Sequence, residues 1–449
     1  MNIYIKALEI STIMSTIFAI SSGRGKAGVS VVRVSGQDAK QALFALGIKT
    51  LPKPRMATFA KLKNKEQVID QGLILYFNSP NSFTGEEIVE LHLHGSIAVV
   101  ENVLTVLSGL KNFRLAEPGE FSKRAFENNK MDLVQAEGLA DLIDAETSAQ
   151  AKQAMRAMEG EASKVYEGWR TRVIEIMAFV EAYIDFPDEN IPADLDIQAQ
   201  GKVKNICDEI NKQVVNDNGE RVRLGAVATI IGAPNVGKST LINFLSQRDV
   251  AIVSDIAGTT RDTLEAHLNI DGYPLTIIDT AGIRESADKI EQEGVRRALD
   301  KADKADFKII MFDDENNKDE AITKLIDENS LVVLNKIDLN KKTSSNKYIA
   351  VSLKENIGTD ELIKKIKEKV EKALGSSENA IITRKRHKLA LQECVAELEA
   401  FIHARKNKLP IELCAESLRR ASFYLGKITG KIGVEDILDK IFSEFCIGK

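Results

Sequence analysis

The chain has 449 residues and a formal net charge of −5; 44% of its residues are hydrophobic and 28% are charged. This length predicts two to four domains with ample core, and the charge excludes a generally basic surface, so an RNA contact would need a local basic patch. The chain has no apolar run of about 18 residues and no signal-peptide pattern, so we expect a cytoplasmic protein without a membrane partner.

The first predicted domain covers residues 15–130. Short runs rich in β-branched residues alternate there with turns, and this alternation, with helical stretches between the runs, is typical of an α+β domain. Residues 1–14 form a loosely patterned N-terminal extension. The predicted strands cover residues 16–20, 29–34, 73–77 and 88–93, and a predicted helix covers 98–107.

From residue 131 to residue 220 the sequence has the pattern of long helices. Apolar residues recur at spacings of three and four, which places them on one face and predicts the core of a helical domain. Two prolines and an acidic cluster within residues 185–192 end the helix. The apolar stripe consists of Val165, Trp169, Val173, Ile176, Val180 and Ile184.

Residues 232–239 match the P-loop pattern G-x-x-x-x-G-K-[ST], and they follow the β-branched run 226–231. Strand, glycine-containing loop and helix are the context that this motif requires. Backbone N–H groups of such a loop converge on phosphate oxygens, Lys238 supplies a positive charge, and Ser239 supplies a hydroxyl ligand for Mg²⁺. A nucleoside triphosphate is therefore the expected ligand.

Further motifs follow in the order and strand context of a GTPase, at residues 258–262, 279–282 and 335–338. Asp338 can accept two hydrogen bonds from guanine that adenine does not offer, which makes GTP the expected substrate. A weaker motif at Ser352 would support the guanine carbonyl through backbone N–H groups. The predicted nucleotide contacts are Asn235, Val236, Gly237, Lys238, Ser239, Thr240, Ser254, Asp255, Ile256, Ala257, Gly258, Thr259, Thr260, Asp279, Thr280, Ala281, Gly282, Asn335, Lys336, Asp338 and Ser352.

Helical patterning resumes after residue 376 and continues to residue 449. Because helical segments flank the GTPase motifs and neither segment offers a closed core alone, we expect a GTPase domain at 221–376, inserted into a helical domain made of 131–220 and 377–449. The predicted fold class is multidomain α/β plus α. It combines an N-terminal α+β domain, a central helical domain and an inserted Ras-like P-loop GTPase domain, whose mixed sheet has helices on both faces.

Outside the GTPase motifs, several stretches resemble the MnmE (TrmE) family of tRNA-modification GTPases, and the resemblance covers nearly the whole chain. The most specific are the Pro-Gly-Glu-Phe stretch at 117–126 and the terminal Cys-Ile-Gly-Lys. The others are Ser-Gly-Arg-Gly at 22–25, Val-Arg-Val-Ser-Gly at 32–36, Asn-Ser-Phe-Thr-Gly-Glu at 81–86 and His-Leu-His-Gly at 92–95.

The resemblance implies a homodimer that forms a heterotetramer with the flavoprotein MnmG and acts on tRNA. The pair would add a carboxymethylaminomethyl or aminomethyl group at C5 of the wobble uridine, with a one-carbon unit from a 5-formyl- or 5,10-methylene-tetrahydrofolate derivative. By motif match, the N-terminal α+β domain would bind folate and dimerise. The implied folate contacts are Arg33, Glu90, Lys130 and Lys449; without the resemblance, each would be an ordinary surface or strand-end charge.

The expected hydrolysis departs from that of Ras, because Ile283 stands where Ras has its water-orienting glutamine. The resemblance implies Glu291 in that catalytic role beside Lys238, with Glu285, Asp288 and Glu293 as the alternatives. The side-chain oxygen of Asn235 suits a monovalent cation that would replace an arginine finger. By resemblance, Asn235, Ser254, Ile256 and Thr259 would bind K⁺, and Ser239 and Thr260 would bind Mg²⁺.

Two features near the C-terminus leave their roles open. Cys446, in the terminal motif, is a candidate catalytic thiol, and the alternative is a small buried residue beside Phe445. The basic cluster at 384–388 would suit tRNA phosphates, although such a run is more often a solvated helix start.

Two other functions remain open. A regulatory RNA-binding GTPase of ribosome assembly would carry the same GTPase motifs, but it does not account for the N-terminal domain or the terminal motif. Alternatively, residues 15–130 would be a structural dimerisation module without folate. Saturable binding of a reduced folate separates this last possibility from the folate-dependent one.

Overall fold

The computed structural model of the protein contains two compact units. One contains the described residues up to Ala140 together with Thr429–Lys449, and the other is Asp141–Ile428. The predicted second helical segment, 377–449, therefore contributes to both units. The structure describes residues 15–23, 25–185, 195–216, 218–247, 265–279, 305–314, 320–339, 348–375, 380–433, 435–443 and 445–449.

The first unit is built on a six-stranded sheet with the order β3-β4-β5-β2-β1-β6. Neighbouring strands are antiparallel except β1 and β6, which are parallel. The strands are β1 (Thr16–Ile20), β2 (Ala27–Ser35), β3 (Thr58–Asn64), β4 (Gln67–Phe77), β5 (Ile88–Gly95) and β6 (Phe113–Leu115), and two helices, α1 (Ala39–Ala45) and α2 (Ile97–Ser108), accompany them.

The period of two along these strands separates a core face from a polar face. On β5, Val89, Leu91 and Leu93 are buried in a core with residues of α1 and α2. Glu90 and His92 alternate with them and therefore lie on the opposite face, which matters for the site below.

A second core in this unit joins the two ends of the chain. Helices α3 (Glu120–Glu127) and α4 (Leu133–Asp144) follow β6, and α14 (Glu435–Ser443) comes from the C-terminal segment. Phe442 lies 6.3 Å from Phe126, measured between ring centroids. The C-terminal segment is thus packed on the motif-bearing helix α3, and its last residues lie beside β1.

The second unit contains a six-stranded mixed sheet with the order β12-β11-β10-β7-β9-β8. All neighbours are parallel except β8 and β9. Ile309 and Met311 of β10 face one core, while Ile310 and Phe312 face another. The strands are β7 (Ala226–Gly232), β8 (Glu265–Ile270), β9 (Tyr273–Asp279), β10 (Phe307–Phe312), β11 (Ser330–Leu334) and β12 (Ile349–Ala350), and the helices α9 (Lys238–Leu245), α10 (Glu320–Thr323) and α11 (Thr359–Leu374) accompany them.

The remaining helices of this unit form a bundle. Helices α7 (Leu195–Val215) and α12 (Lys385–Lys406) pack together although the second sheet separates them in sequence, as expected for an inserted domain. None of the helices in the described residues is long and apolar enough to cross a membrane. The bundle helices are α5 (Ser148–Met158), α6 (Glu161–Asp185), α7 (Leu195–Val215), α8 (Asn218–Leu224), α12 (Lys385–Lys406) and α13 (Ile411–Thr429).

The predicted apolar stripe on α6 is confirmed except near its ends. Trp169, Val173, Ile176 and Val180 are buried. Val165, however, is 37% exposed, and the fully buried residue at this level is Tyr166. Both positions continue a spacing of three or four from Trp169, so the spacing alone did not distinguish them.

Candidate nucleotide-binding and folate-binding sites

The P-loop lies at the carboxyl end of β7, where the sheet order reverses direction. Open α/β sheets bind their ligands at this position. Gly237 begins α9 with φ of +105°, and Lys238 is the first helical residue. The Nζ of Lys238 donates to the carbonyl oxygens of Gly232 at 2.8 Å and Ala233 at 2.9 Å, so the ammonium group points into its own loop.

Asn335 connects three loops of the site. Its Nδ2 donates to the carbonyl oxygen of Val236 in the P-loop at 2.9 Å, and its Oδ1 accepts from the N–H of Leu353 at 3.2 Å. A Cβ at Gly237 would lie 2.3 Å from Nδ2, so only glycine permits this approach. Asn335 is 4% exposed. Both ends of its amide are thus used to hold the loops in place.

The residues that are predicted to surround the guanine base differ in their contacts within the protein. Asp338 is half-buried, and its carboxylate has no hydrogen bond or ion pair in the described part of the chain. The Nζ of Lys336 pairs with Asp313 at 2.9 Å. Ser352 is fully buried, and its N–H donates to the carbonyl oxygen of Ile357 at 3.0 Å. The carboxylate of Asp338 is therefore accessible for guanine, whereas the N–H groups of Ser352 and Leu353 have partners within the protein.

Several predicted contacts lie outside the described residues. Asp279 is the last residue of β9 and pairs in register with Ile230 of β7, which puts its backbone next to the P-loop strand. The predicted residues outside the described ranges are Ser254, Asp255, Ile256, Ala257, Gly258, Thr259, Thr260, Thr280, Ala281, Gly282 and Glu291.

Two of the four predicted folate contacts meet on the polar face of the N-terminal sheet. Arg33 of β2 and Glu90 of β5 are cross-strand partners. Both Nε and Nη2 of Arg33 lie 2.9 Å from Oε1 of Glu90. The guanidinium carbon is 5.3 Å from the ring centroid of Phe83 and 5.8 Å from that of Phe121. Cation–π contacts of this kind hold the arginine in one orientation.

The other two predicted folate contacts lie on segments near this sheet. Lys130 is exposed, and its side chain packs beside Gly85. Lys449 is half-buried at the end of the C-terminal tail. The hydroxyl of Ser21, the residue after β1, donates to the carbonyl oxygen of Gly448 in this tail at 2.9 Å. The tail therefore lies at the end of β1, which is the neighbour of the strand that carries Arg33.

A buried ion network in the same unit was not predicted from the sequence. The carboxylate of Glu120 accepts from Arg114 at 2.8 Å and from Arg124 at 3.0 Å. Arg124 also pairs with Glu86 at 3.1 Å, and Glu86 accepts from Ser35 at 2.7 Å. Glu86, Glu120 and Arg124 all belong to the stretches that carry the family resemblance, so much of that signal is structural.

Burial acts to raise the pKa of Glu120, but the hydrogen bonds and charges around the carboxyl together outweigh it. Hydrogen bonds from Arg114 and from the N–H of Glu117, together with the charge of Arg124, lower the pKa of this carboxyl below its usual range. Glu120 is therefore an ionised structural group.

The two C-terminal features that were left open also have defined positions. Cys446 is exposed, so the alternative of a small buried residue is wrong; its catalytic role stays a prediction. In the basic cluster, Arg384 pairs with Asp141 at 2.7 Å and Arg386 donates to the carbonyl oxygen of Ile428 at 3.0 Å. His387 is fully buried. These three residues are therefore structural, whereas Lys385 is exposed at the start of α12, and a contact of the cluster with tRNA phosphates stays a prediction.

Comparison with known proteins now decides the family. Residues 16–130 match the model of the GTP-binding protein TrmE N-terminus, and residues 133–446 match that of the MnmE helical domain. The chain belongs to the MnmE family. MnmE relatives named tRNA modification GTPase include those of Ehrlichia canis (48% identical over 97% of this chain and 100% of the relative) and Paramagnetospirillum magneticum (47%, 97% and 99%). The predicted family, fold class and GTPase activity are confirmed.

Solved GTPase structures are more distant from this MnmE chain. The G domain of the FeoB iron transporter of T. maritima is 24% identical over 33% of this chain and 99% of that one, with a TM-score of 0.25. A GTP-binding protein of Sulfolobus solfataricus in complex with GDP is 14% identical over 60% and 85%, with a TM-score of 0.26. Likenesses with such low scores carry no argument about the fold, which is defined by the strand order of the two sheets.

Proposed function

We propose that this chain hydrolyses GTP to drive the addition of a carboxymethylaminomethyl or aminomethyl group to C5 of the wobble uridine of certain tRNAs. A flavoprotein partner of the MnmG type would supply the redox chemistry, and the reaction would take place in the cytoplasm. The observation that carries the proposal is the joining of the P-loop, the Asp338 motif and the Ser352 loop by Asn335, in a chain 48% identical to a tRNA modification GTPase.

The nucleotide part of the proposal follows from the loop geometry. On GTP binding, the ammonium group of Lys238 exchanges the carbonyl oxygens of its own loop for phosphate oxygens, which carry more negative charge. The free carboxylate of Asp338 accepts the two guanine N–H hydrogen bonds and so excludes adenine. Ile283 has no polar group that could orient the attacking water, and by the family resemblance Glu291 would take this role.

The residues present fit the two metal ions that the family implies. Asn235 is exposed with φ of +63°, and its amide has no hydrogen bond within the described residues. Ser239 is exposed in the first turn of α9. Asn235 would hold K⁺ with Ser254, Ile256 and Thr259, and Ser239 would hold Mg²⁺ with Thr260. When bound, these cations offset the charge that develops on the phosphates.

The N-terminal site fits a tetrahydrofolate derivative. A carboxylate that is oriented by an arginine, as Glu90 is by Arg33, suits the N–H groups of a pterin, and Lys130 and Lys449 would supply cations for the glutamyl carboxylates. The folate would provide the one-carbon unit that is transferred. Cys446, exposed in the same terminal motif as Lys449, would serve as a catalytic thiol.

The assembly belongs to the same proposal. The N-terminal domain, residues 15–130, would form a homodimer, and two flavoprotein subunits would complete a heterotetramer that binds tRNA. In the sequence, the GTPase domain at 221–376 divides the helical domain into 131–220 and 377–449. Because this chain carries no nucleotide fingerprint other than its GTPase motifs, the flavin would be contributed by the partner.

The experiment that tests this function is mass spectrometry of tRNA nucleosides from cells that lack the protein. The cells are complemented with wild type, with Asp338→Asn, or with Asp360→Asn as a surface control at the start of α11. We expect wild type and the control to restore the C5-modified wobble uridine and Asp338→Asn to leave it absent. A nucleoside profile that is unchanged by the loss of the protein would exclude the function and favour a regulatory GTPase of ribosome assembly.

A further inference from the structure

The polar face of β5 carries two histidines beside the Arg33–Glu90 pair. Glu90, His92 and His94 occupy every second position of the strand, so their side chains lie on the same face. Val31 of β2 and Leu73 of β4 are the cross-strand neighbours of His92. On this face His92 therefore has the Arg33–Glu90 ion pair next to it along the sheet and an apolar residue opposite it on each neighbouring strand.

The two oxygens of Glu90 have different surroundings. Oε1 accepts a hydrogen bond from Nε of Arg33 at 2.9 Å and also lies 2.9 Å from Nη2 of the same residue. Oε2 faces Nε2 of His92 at 3.6 Å, which is too far for a hydrogen bond. Glu90 therefore has one oxygen committed to the arginine and one that is left for another donor.

The imidazole of His92 has an unmet requirement of its own. Its side chain is 30% exposed. Its Nε2 atom, however, is shielded from solvent and has no hydrogen-bond partner in the described part of the chain. Buried polar atoms without a partner are rare in native proteins and commonly indicate a missing ligand or water. Nε2 of His92 and Oε2 of Glu90 are adjacent, so one ligand can satisfy both.

His94 provides the contrast. Its Nδ1 lies 2.8 Å from Oδ1 of Asp70, and its backbone N–H donates to Oδ2 of the same residue at 2.9 Å. The side chain of His94 is 69% exposed. His94 is therefore satisfied by the protein, whereas His92 is not.

We propose that His92 contacts the ligand of this site directly, through a hydrogen bond from Nε2–H to the oxygen of a pterin ring. A pterin presents N–H donors next to a carbonyl acceptor on one edge. Oε2 of Glu90 accepts from the N–H groups, and Nε2 of His92 donates to the neighbouring oxygen. This inference rests on the proposed folate function and makes His92 a specificity-determining residue for it.

The test is the affinity for 5-formyl-tetrahydrofolate, measured by isothermal titration calorimetry on the full-length protein. The variants are His92→Leu, which removes the donor, and His92→Gln, which keeps an amide donor, with His94→Leu as the matched control on the same face. We expect His92→Leu to lose about tenfold or more in affinity. His92→Gln should recover most of the loss, and His94→Leu should bind as wild type does.

A second measurement distinguishes ligand contact from a structural role. The chain has five histidines, so the ¹³Cε1–¹H signal of His92 can be assigned by its loss in His92→Gln. We expect this signal to shift on saturation with the folate and the His94 signal to stay in place. This readout in the wild-type protein applies even if His92→Leu does not fold.

The possible outcomes separate the two proposals. If wild type binds the folate but His92→Leu binds equally well and the His92 signal does not move, the role of His92 is wrong and the folate site remains. If wild type itself shows no saturable binding, the folate part of the proposed function is wrong, and the role of His92 is overturned with it.

Discussion

Asn335 is the residue on which the geometry of the nucleotide site depends. Its buried amide bonds the P-loop through the carbonyl oxygen of Val236 and the Ser352 loop through the N–H of Leu353. The sequence motif predicted a contact with the nucleotide at this position. In the structure the side chain bonds two neighbouring loops, so Asn335 also acts as a positioning residue, and its contact with the nucleotide stays a prediction.

Replacement of Asn335 by alanine should weaken nucleotide binding, because it releases the two loops that the side chain holds together. Loss of the two hydrogen bonds costs about 1–3 kcal/mol, since it leaves buried backbone groups unsatisfied. We expect the affinity for GDP, measured by fluorescence titration of a labelled nucleotide, to fall about tenfold. Asn329→Ala, at an exposed position before β11, is the control. Equal affinities of the two variants would contradict this account.

Glu120 is a second buried positioning residue, in the N-terminal unit, where it is 7% exposed and accepts hydrogen bonds from Arg114 and Arg124. The hydrogen bonds from Arg114 lower its pKa in spite of burial. A carboxyl whose folded-state pKa is depressed contributes stability that is present above its unfolded-state pKa and is lost as the pH falls through the folded-state value. The stabilisation from Glu120 is therefore lost only below about pH 4.5, the ordinary value for this group.

Glu120→Gln should remove this acid-dependent part of the stability. At neutral pH the variant leaves Arg124 buried without its full charge partner, which costs about 3–5 kcal/mol. Urea denaturation as a function of pH measures both effects. We expect the difference between wild type and Glu120→Gln to be constant near neutrality and to shrink as the pH falls below about 4.5. A difference that stays constant into acid would show that Glu120 is not the titrating group; Glu117→Gln, at an exposed position, should match wild type throughout.

At the scale of elements, the local sequence pattern predicted the strands whose own residues form an apolar or β-branched run. The run before the P-loop became β7, and β1 has the predicted limits. Strand β3 was not predicted, and β4 begins at Gln67, six residues before the predicted start at Leu73. The intervening residues lack an apolar run, and they are extended because β3 and β4 pair as a hairpin.

Contacts between distant elements were beyond the reach of sequence patterns. The pairing of Arg33 with Glu90 depends on the register between β2 and β5, which are separated by more than fifty residues. The orphaned Nε2 of His92 depends on the same register. The motifs indicated that these stretches matter, but the physical reason became visible only with the sheet assembled.

Tyr166 provides a test of how helix α6 holds the chain that returns from the GTPase domain. Its ring is fully buried beside His387 with centroids 5.8 Å apart, and its hydroxyl donates to the carbonyl oxygen of Ile381 at 2.9 Å. Tyr166→Phe keeps the packing and removes only the hydrogen bond. We expect a loss of about 1–2 kcal/mol in the free energy of unfolding.

Urea denaturation followed by circular dichroism measures this loss. Tyr424→Phe is the matched control, because Tyr424 is half-buried and has no hydrogen bond from its hydroxyl within the described residues. A Tyr166→Phe variant as stable as wild type would mean that the hydrogen bond does not hold the returning chain.

At the scale of the whole molecule, the ends of the chain form one unit and the GTPase sheet lies within the other. Helices α7 and α12, which precede and follow the nucleotide sheet in sequence, pack against each other. The nucleotide domain is therefore anchored at both of its ends to the helical bundle, as expected if hydrolysis is to act on more than the domain itself.

The dependence of GTP turnover on K⁺ or Na⁺ is a property of the whole GTPase domain. If K⁺ bound through Asn235 takes the place of an arginine finger, GTP turnover should be about tenfold or more faster in K⁺ than in Na⁺ at equal ionic strength. Asn235→Ala should lose most of this difference while retaining nucleotide binding. Phosphate release at saturating GTP measures it, and equal wild-type rates in the two salts would rule out the K⁺ role.

The central claim is that guanine-nucleotide hydrolysis by this chain drives the tRNA modification. Xanthine carries an oxygen in place of the exocyclic amine of guanine, so Asp338→Asn should exchange GTP for XTP as the substrate. The measurement is the C5-modified wobble uridine formed in a reconstituted reaction with the flavoprotein partner, folate and unmodified tRNA. We predict that wild type modifies tRNA only with GTP and that the variant does so only with XTP. Modification by the variant with GTP at the wild-type rate would contradict the claim.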